Sequence, residues 1–349
     1  MLGGMLTFAV AFAASCGLTV PIRRMALHWG IVDVPNARKI HSTPIPLLGG
    51  VGIYLGTVLS IVWFVESPAR GQIFGILAAS TLLLVVGILD DRHLLHHQIK
   101  LFVAMPLAAL TLVALGVKTH VGSALMHGPL GPVLDIGLTL FWVVGITAAY
   151  NIFDHMDGLA SGVTAIASLF FTVLAIREGQ VLVATLGAAL LGGSLGFLLW
   201  NFNPAKIFMG DGGAMFLGFM VATLGLKLRL QTVPEATSWM IPVLLLIVPI
   251  FDTTLVSISR ARRGLIPFAS PGKDHTAHRL ANVGLGQRGA VLALYAVGTA
   301  SGSLALLVCG TTAAFSYALA VIVAFVALAA VVWLERFPYE RQNKPETAH

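Results

Sequence analysis

Charge is scarce in this sequence. Of 349 residues, 10% are Asp, Glu, Lys or Arg, whereas soluble domains carry about 25%. With 57% hydrophobic residues and a mean hydropathy of +0.90, a soluble domain is excluded and a bilayer is required. Cysteine is scarcer still. Cys16 and Cys309 are the only two, each inside an apolar run, with no metal-ligand spacing and no reason to expect a disulfide. The glycine-rich stretch at 210–213 is not followed by Gly-Lys-Ser/Thr, so it is not a Walker loop. No internal repeat is visible, and nothing resembles a nucleic-acid module. The first apolar run has no positive residue before it and no small-residue cleavage site behind it, which predicts a retained helix rather than a signal peptide.

What is present is a series of apolar runs of about 16–24 residues, the length of helices that cross a ~30 Å hydrocarbon core and too long for barrel strands. They predict eleven helices near 2–22, 47–65, 72–89, 101–117, 136–152, 160–176, 181–200, 214–230, 239–258, 290–309 and 314–334. With the N-terminus outside, sixteen basic residues fall in inside segments. Only Arg70, Lys118, Arg177, Lys227 and Arg229 fall outside. That asymmetry sets the orientation and reads the +6 net charge as a topology and anionic-substrate signal rather than a nucleic-acid one. The expected fold is an all-α integral membrane protein with the C-terminus cytoplasmic. A single polytopic domain spans 1–349, its motifs lie within about 33–290, and a flexible tail covers 336–349.

The acids then sort onto one face. Asp33, Asp90, Asp91, Asp154, Asp157, Asp211 and Asp274 fall at inside helix ends or loops, and Asp252 falls in the inner half of its helix. The densest group is NIFDHMDGLASG at 151–162, where Asn151, Asp154 and Asp157 are spaced so that they could share one helical face. Two carboxylates ~5 Å apart repel by roughly 3 kcal/mol at an effective dielectric of about 20, so the arrangement calls for a cation. An Asn-Asp-Asp donor set offers hard oxygens, suited to magnesium or manganese rather than zinc.

Other inside loops add phosphate-binding chemistry. DVPNARKIHSTPIPLLGG (33–50) sets Arg38, Lys39 and His41 ahead of a proline-punctuated turn and two glycines, bases suited to phosphate beside a backbone a ligand can approach. LDDRHLLHHQIK (89–100) pairs Asp90 and Asp91 as a cation site or general base and places Lys100 where it could meet a phosphate. In NFNPAKIFMGDGGAMFLGF (201–219), Asp211 sits among glycines just before an apolar helix, whose N-terminus presents free amides. The long loop 259–289 carries His275, His278 and Arg279, read as a diphosphate clamp, with a two-histidine zinc site as the alternative.

In order along the chain, DVPNARKIHSTPIPLLGG, GILDDR with Lys100, NIFDHMDGL, FMGDGGAMFLGF and DHTAHRL resemble one family, the polyprenyl-phosphate N-acetylhexosamine-1-phosphate transferases. Within it they look like the N-acetylglucosamine branch, because the pentapeptide branch would show three consecutive histidines in the long loop. The resemblance implies transfer of a sugar 1-phosphate from a UDP-N-acetylhexosamine to undecaprenyl phosphate with release of UMP. The product is a lipid-diphosphate-linked sugar that starts cell-envelope glycan synthesis. It implies Mg2+ (or Mn2+) at Asp211, with Asn151 as a further ligand, and Asp90-Asp91 beside the lipid phosphate. Asn151, Asp154 and Asp157 would lie near the nucleotide, and His275, His278 and Arg279 over the diphosphate and sugar. Catalysis would rest on Asp90, Asp91 and Asp211, and phosphate binding on Arg38, Lys39, His41 and Lys100. Ala148, His155 and Ala277 depart from the pattern, and they bear on sugar selectivity more than on reaction class. The implied setting is the plasma membrane with a cytoplasmic site, and a second copy of the chain is the one protein partner considered. A secondary transporter is the alternative from another class, but transporters carry midplane sites and repeated halves.

The charge asymmetry makes a direct prediction. A reporter active only outside the membrane should give strong signal when fused after Gln231 and none after Glu340. The reverse pattern would invert the topology.

Overall fold

The computed structural model describes residues 2–34, 44–64, 70–95, 97–126, 128–266 and 272–337. Arg38, Lys39 and His41, and the tail from residue 338, lie outside the described residues. Among those described, helices and their connecting turns make up the chain, and the β-structure is one two-residue antiparallel pair, Val32–Asp33 with Ile45–Pro46. The long helices are α1 (Leu2–His28), α2 (Gly49–Phe64), α3 (Arg70–Asp91), α4 (Met105–Ala114), α5 (Leu130–Phe153), α6 (Leu159–Arg177), α7 (Val181–Asn201) and α8 (Gly210–Lys227). They are followed by α9 (Met240–Leu245), α10 (Ile247–Arg262), the short α11 (Thr276–Leu280), α12 (Gly286–Val308) and α13 (Ala313–Leu334).

Every stretch expected to be helical carries helix, with two interruptions that prolines explain. Pro106 has no N–H to donate one turn back, and the residues before α4, Lys100–Ala104, form a π segment. Pro249 lies in the first turn of α10, where its ring clashes with the carbonyl of Leu245, the last residue of α9. The stretch through α9 and α10 bends there by 81°. Among the described residues seven helices are long and apolar enough to cross a membrane, or eight if the bent pair is one span, while Gly49–Val62 and Lys100–Ala114 are shorter apolar helices. The protein is an all-α membrane protein.

α8 is the centre. Gly212–Leu224 is buried without interruption, and the helix packs on α2, α3 and α5 and touches α6 and α7. In lipid, helices gain little from excluding water and associate through close packing of small residues. Here the approach is backbone to backbone. A Cβ on Gly50 would strike the Gly213 backbone, and one on Gly87 would strike the Gly212 backbone. The chain before α2 is tied to the same end of α8 by hydrogen bonds: Phe208 N–H to Pro46 O at 2.8 Å, Gly49 N–H to Phe208 O at 2.9 Å and Gly50 N–H to Met209 O at 2.8 Å. Three segments distant in sequence therefore meet at the N-terminus of α8.

Gly87→Ala should lower the thermal unfolding midpoint of the purified protein, by the equivalent of about 1–3 kcal/mol, because the obstacle is backbone and cannot rotate away. Gly137→Ala on α5 meets nothing within 4 Å and should leave the midpoint unchanged or slightly higher. Equal midpoints for the two variants would contradict the close approach of α3 to α8.

Candidate active site

The meeting point at α8 assembles the acidic residues. Asp91, the last residue of α3, accepts the Asp211 backbone N–H through Oδ1 at 3.0 Å, so it satisfies one of the free amides of the α8 first turn. Lys100 Nζ donates to Asp90 Oδ2 at 2.7 Å and also to Asp211 Oδ2. One half-buried ammonium thus serves two carboxylates from helices α3 and α8. Asp90, Asp91, Lys100 and Asp211 form a single charged cluster, in which Lys100, expected from the sequence to meet a phosphate, pairs with carboxylates.

The 151–162 stretch is built differently from the expectation. α5 ends at Phe153, Asp154 is its C-cap, and α6 starts only after Gly158, which has φ 75°. Asp154 and Asp157 therefore sit on a turn and do not share a helical face with Asn151. The turn is pinned by Asn201 at the end of α7, whose Oδ1 accepts the Gly158 N–H at 3.0 Å while its Nδ2 donates to Ile207 O at 3.0 Å. Tyr295 of α12 adds a hydrogen bond from its hydroxyl to Gly158 O at 2.5 Å. Asp157 Oδ2 accepts from Asn203 Nδ2 and from the Ala205 N–H, both at 3.0 Å, and Asn203 Nδ2 also donates to Gln287 Oε1 at 2.8 Å.

These segments surround an open cavity of about 490 Å³, lined by Asp91, Asp154, Asp157 and Asp211 together with Asp33, His155, Asn203, Lys273, His278 and Gln287. Five carboxylates, from the end of α3, the start of α8, the turn after α5 and the short strand Val32–Asp33, face the same space. Burial first, then the charges of Asp211 and Asp157, push the Asp154 carboxyl up to about 7. A bound cation would reverse that shift. Asn151 does not line the cavity, and its Nδ2 is buried without a hydrogen-bond partner in the protein.

The histidine loop divides in two. His278 lines the cavity. His275 is buried, with Nδ1 2.8 Å from Asp252 Oδ2, and Asp252 Oδ1 accepts the Thr276 N–H at 2.7 Å. Arg279 is fully buried and does not line the cavity. Its guanidinium donates to Asp274 O, Leu334 O and Ser259 Oγ, each at 2.9 Å. The structure thus corrects the expected diphosphate clamp: Arg279 spends its donors on the protein. Asp274 is gripped by Arg260 at 2.9 and 2.8 Å and by Arg263 at 2.5 Å. Burial alone would raise its pKa, but these two guanidinium groups hold it well below the usual carboxylate range.

Among the described residues, the His, Cys, Asp and Glu group close enough to share an ion is His155, Asp252 and His275, with candidate ligand atoms within 4.8 Å of one another. It differs from the His275–His278 pair weighed for zinc. The His155 ring lies over His275 at 4.1 Å between centroids and 34° between planes, and over His278 at 4.8 Å and 30°. Rings lying face over face do not aim their lone pairs at one ion, and Asp252 is already engaged. Burial and the neighbouring His275 hold His155 neutral, well below the usual imidazole value. Among the described residues both its ring nitrogens are buried without a hydrogen-bond partner, Nε2 lying 3.9 Å from Asp252 Oδ2.

A second, apolar cavity of about 1000 Å³ runs along α5 and the bent α9–α10 pair, lined by Phe141, Trp142, Ala148, Pro242, Ile250 and Thr253 among others. Leu101 also lines it, next in sequence to the Lys100 that joins Asp90 to Asp211. Sequence reasoning left Asn201, Asn203, Lys273 and Gln287 unassigned. All four stand in stretches already singled out, 201–219 and 259–289, where polar side chains near Asp211 and His275 were the available signal.

A family model for glycosyl transferase family 4 matches residues 73–229. The chain is 36% identical over 299 residues, 83% of its own length and 81% of the relative's, to a probable undecaprenyl-phosphate N-acetylglucosaminyl 1-phosphate transferase of Bacillus subtilis (strain 168). It is 35% identical over 306 residues, 79% and 75% of the two chains, to a decaprenyl-phosphate N-acetylglucosaminephosphotransferase of Mycobacterium tuberculosis (strain ATCC 25618 / H37Rv). A Yersinia pestis undecaprenyl-phosphate alpha-N-acetylglucosaminyl 1-phosphate transferase is 29% identical over 292 residues, 79% and 76% of the two chains. Similarity at this level runs well beyond the matched region and over most of each partner. The chain is accordingly a member of glycosyl transferase family 4, among the polyprenyl-phosphate N-acetylhexosamine-1-phosphate transferases.

Proposed function

We propose that this protein transfers N-acetylglucosamine 1-phosphate from its UDP-sugar to undecaprenyl phosphate, releasing UMP. The observation that carries the reading is one cavity in which Asp91, Asp154, Asp157 and Asp211 meet Lys273 and His278, beside a long apolar groove. A polar, acid-lined pocket suits a nucleotide diphosphate brought with a divalent cation, and an apolar groove suits a polyprenyl chain. Leu101 in the groove and Lys100 at Asp211 bring the groove to the charged cluster, so the lipid phosphate would lie near Lys100. In this reading the chain is one polytopic domain of eleven spans with the cavity on the cytoplasmic side of the plasma membrane. The sixteen-to-five split of basic residues supports that orientation.

The residues present fit magnesium. Asp211, with Asp91 beside it, offers hard carboxylate oxygens, and among the described residues no cysteine or convergent imidazole pair competes there; Met209 at the cavity has only a soft thioether, a poor ligand for magnesium. A cation at Asp211 would supply neutralisation of the donor diphosphate and of the charge growing on the departing UMP. The chain does the rest. Asp91 fixes the Asp211 backbone, Lys100 offers its ammonium to the acceptor phosphate, and the Asn203–Asp157 pair holds the turn that carries Asp154. A lipid phosphate monoester has a second pKa near 6, by analogy with phosphorylated side chains, and is largely dianionic at neutral pH. It needs positioning more than deprotonation. Its oxygen attacks the donor's β-phosphorus, and the bond to the bridging oxygen breaks so that UMP leaves with that oxygen.

Purified protein given a radiolabelled UDP-sugar panel, magnesium and undecaprenyl phosphate should release UMP and label lipid with UDP-N-acetylglucosamine. Turnover of the UDP-N-acetylmuramoyl-pentapeptide donor with none of the simple sugar would move the protein to the other branch. Asp211→Asn should lower kcat by about 10²–10³-fold or more, as for loss of a group that stabilises transition-state charge, while Asp91→Asn should keep a measurable remnant. Exchange of labelled UMP into UDP-sugar without lipid, together with ping-pong kinetics, would reveal a covalent aspartyl intermediate and defeat direct attack.

A further inference from the structure

Arg279 is buried in a place where nothing asks for a phosphate ligand. Its neighbour His278 faces the cavity, but Arg279 turns the opposite way, into protein. The guanidinium links three segments: Asp274 O at the start of the histidine loop, Ser259 Oγ near the end of α10, and Leu334 O at the end of α13, each at 2.9 Å. Glu335 supplies the counter-charge, with Oε1 2.8 Å from Nη1. A buried arginine is tolerable only when its charge is paired and its donors are used, and here the planar fork meets all three acceptors.

The far side of this contact is the informative one. α13 turns most of its length outward: Phe315, Val321, Phe325, Leu328 and Val332 are exposed, as befits a lipid-facing helix. Its buried residues are Ser316 near the start and Val331 and Leu334 at the end. Val331 and Leu334 form a small apolar cluster with Leu255, separate from the main core, against which Phe251, Leu280 and Phe337 pack. The last long helix is therefore docked beside the histidine loop by its final turn, through one apolar patch and one buried arginine.

We propose that Arg279 and Glu335 are positioning residues: they brace the segment Asp274–Leu280 against the C-terminal end of α13, and so hold His278 and Lys273 at the cavity. Neither touches substrate. Displacement of such a segment by about 1 Å lowers turnover by up to about 100-fold, because the reacting groups lose their alignment. The inference rests on the transferase reading only for its activity assay, and a backbone-exchange readout stands without it.

The test compares Arg279→Ala, Arg279→Lys, Glu335→Ala and the double variant Arg279→Ala/Glu335→Ala in the full-length protein. Glu335→Ala is the milder change and guards against loss of folding in the arginine variants. The brace predicts that Glu335→Ala lowers kcat by on the order of tenfold with the donor KM within about twofold. Hydrogen exchange should rise in 274–285 and stay as in the wild type in α8. The double variant should be little worse than Arg279→Ala, since the other contact of Glu335, with the exposed Arg262 at 3.4 Å, is a weak surface pair. Arg279→Lys should be as impaired as Arg279→Ala, since a point charge cannot meet three acceptors at once. If Arg279 instead held the donor diphosphate, Lys would partly rescue, the donor KM would rise and Glu335→Ala would be silent, and the proposal falls. A lowered melting temperature in Glu335→Ala with unchanged kcat would also overturn it, leaving a contact that serves stability alone. Unchanged exchange in 274–285 would refute the brace even if the transferase assay showed no turnover at all.

Discussion

Backbone contact between Gly87 and Gly212, and between Gly50 and Gly213, is what the rest of the site depends on. Where two helices meet without a Cβ between them, their axes come closer than ordinary side chains allow. Asp90 and Asp91 follow Gly87 by one turn, and Asp211 directly precedes Gly212. The close approach is what lets Asp91 reach the Asp211 amide and lets Lys100 reach two carboxylates at once. A core of Leu and Phe at these positions would pack equally well in hydrocarbon and would hold the acids apart.

Once the acids are gathered, electrostatics sets how they can coexist. Like charges in a partly desolvated space repel strongly, and the protein meets this with few cations. Lys100 serves Asp90 and Asp211, and Arg260 and Arg263 serve Asp274, while Asp252 lies within hydrogen-bond distance of the His275 ring and accepts the Thr276 N–H. Asp154 has no such partner among the described residues and rises toward neutrality instead. The cavity is thus an anionic basin that a divalent cation and a cationic rim would complete, whereas the histidine loop behind it is internally neutralised. That division explains why adjacent residues in the DHTAHRL stretch have different fates, His278 at the cavity and Arg279 in the interior.

Much of this was legible beforehand. Apolar runs located the helices because a bilayer leaves few other structures available. The family resemblance rested on five loops in order, and the comparisons agree with it. The site was legible as a list and less so as a geometry. Asn151, Asp154 and Asp157 have helical spacing, yet the helix stops at Phe153 and Gly158 takes a left-handed turn. Arg279 is as basic as any phosphate ligand, and nothing local shows that Ser259 and Leu334, 20 and 55 residues away, claim it. Asn201 and Asn203 resembled ordinary polar loop residues until their amides were seen to bind the Gly158 and Asp157 turn.

By itself, then, the amino-acid sequence determined the solvent, the helical class, the sense of insertion expected from its basic residues, and the kinds of chemistry in each loop. These follow from composition, period and local spacing, all properties of neighbouring residues. Only the tertiary structure decided which acids share a space, which cation answers which carboxylate, and which half of the histidine loop faces the cavity. Those outcomes depend on contacts between separate segments, from Arg260 with Asp274, 14 residues apart, to Lys100 with Asp211 and Asp91 with the Asp211 amide, 111 and 120 apart. Their energies depend on burial and distance, and the chain carries no local sign of either until its helices have packed.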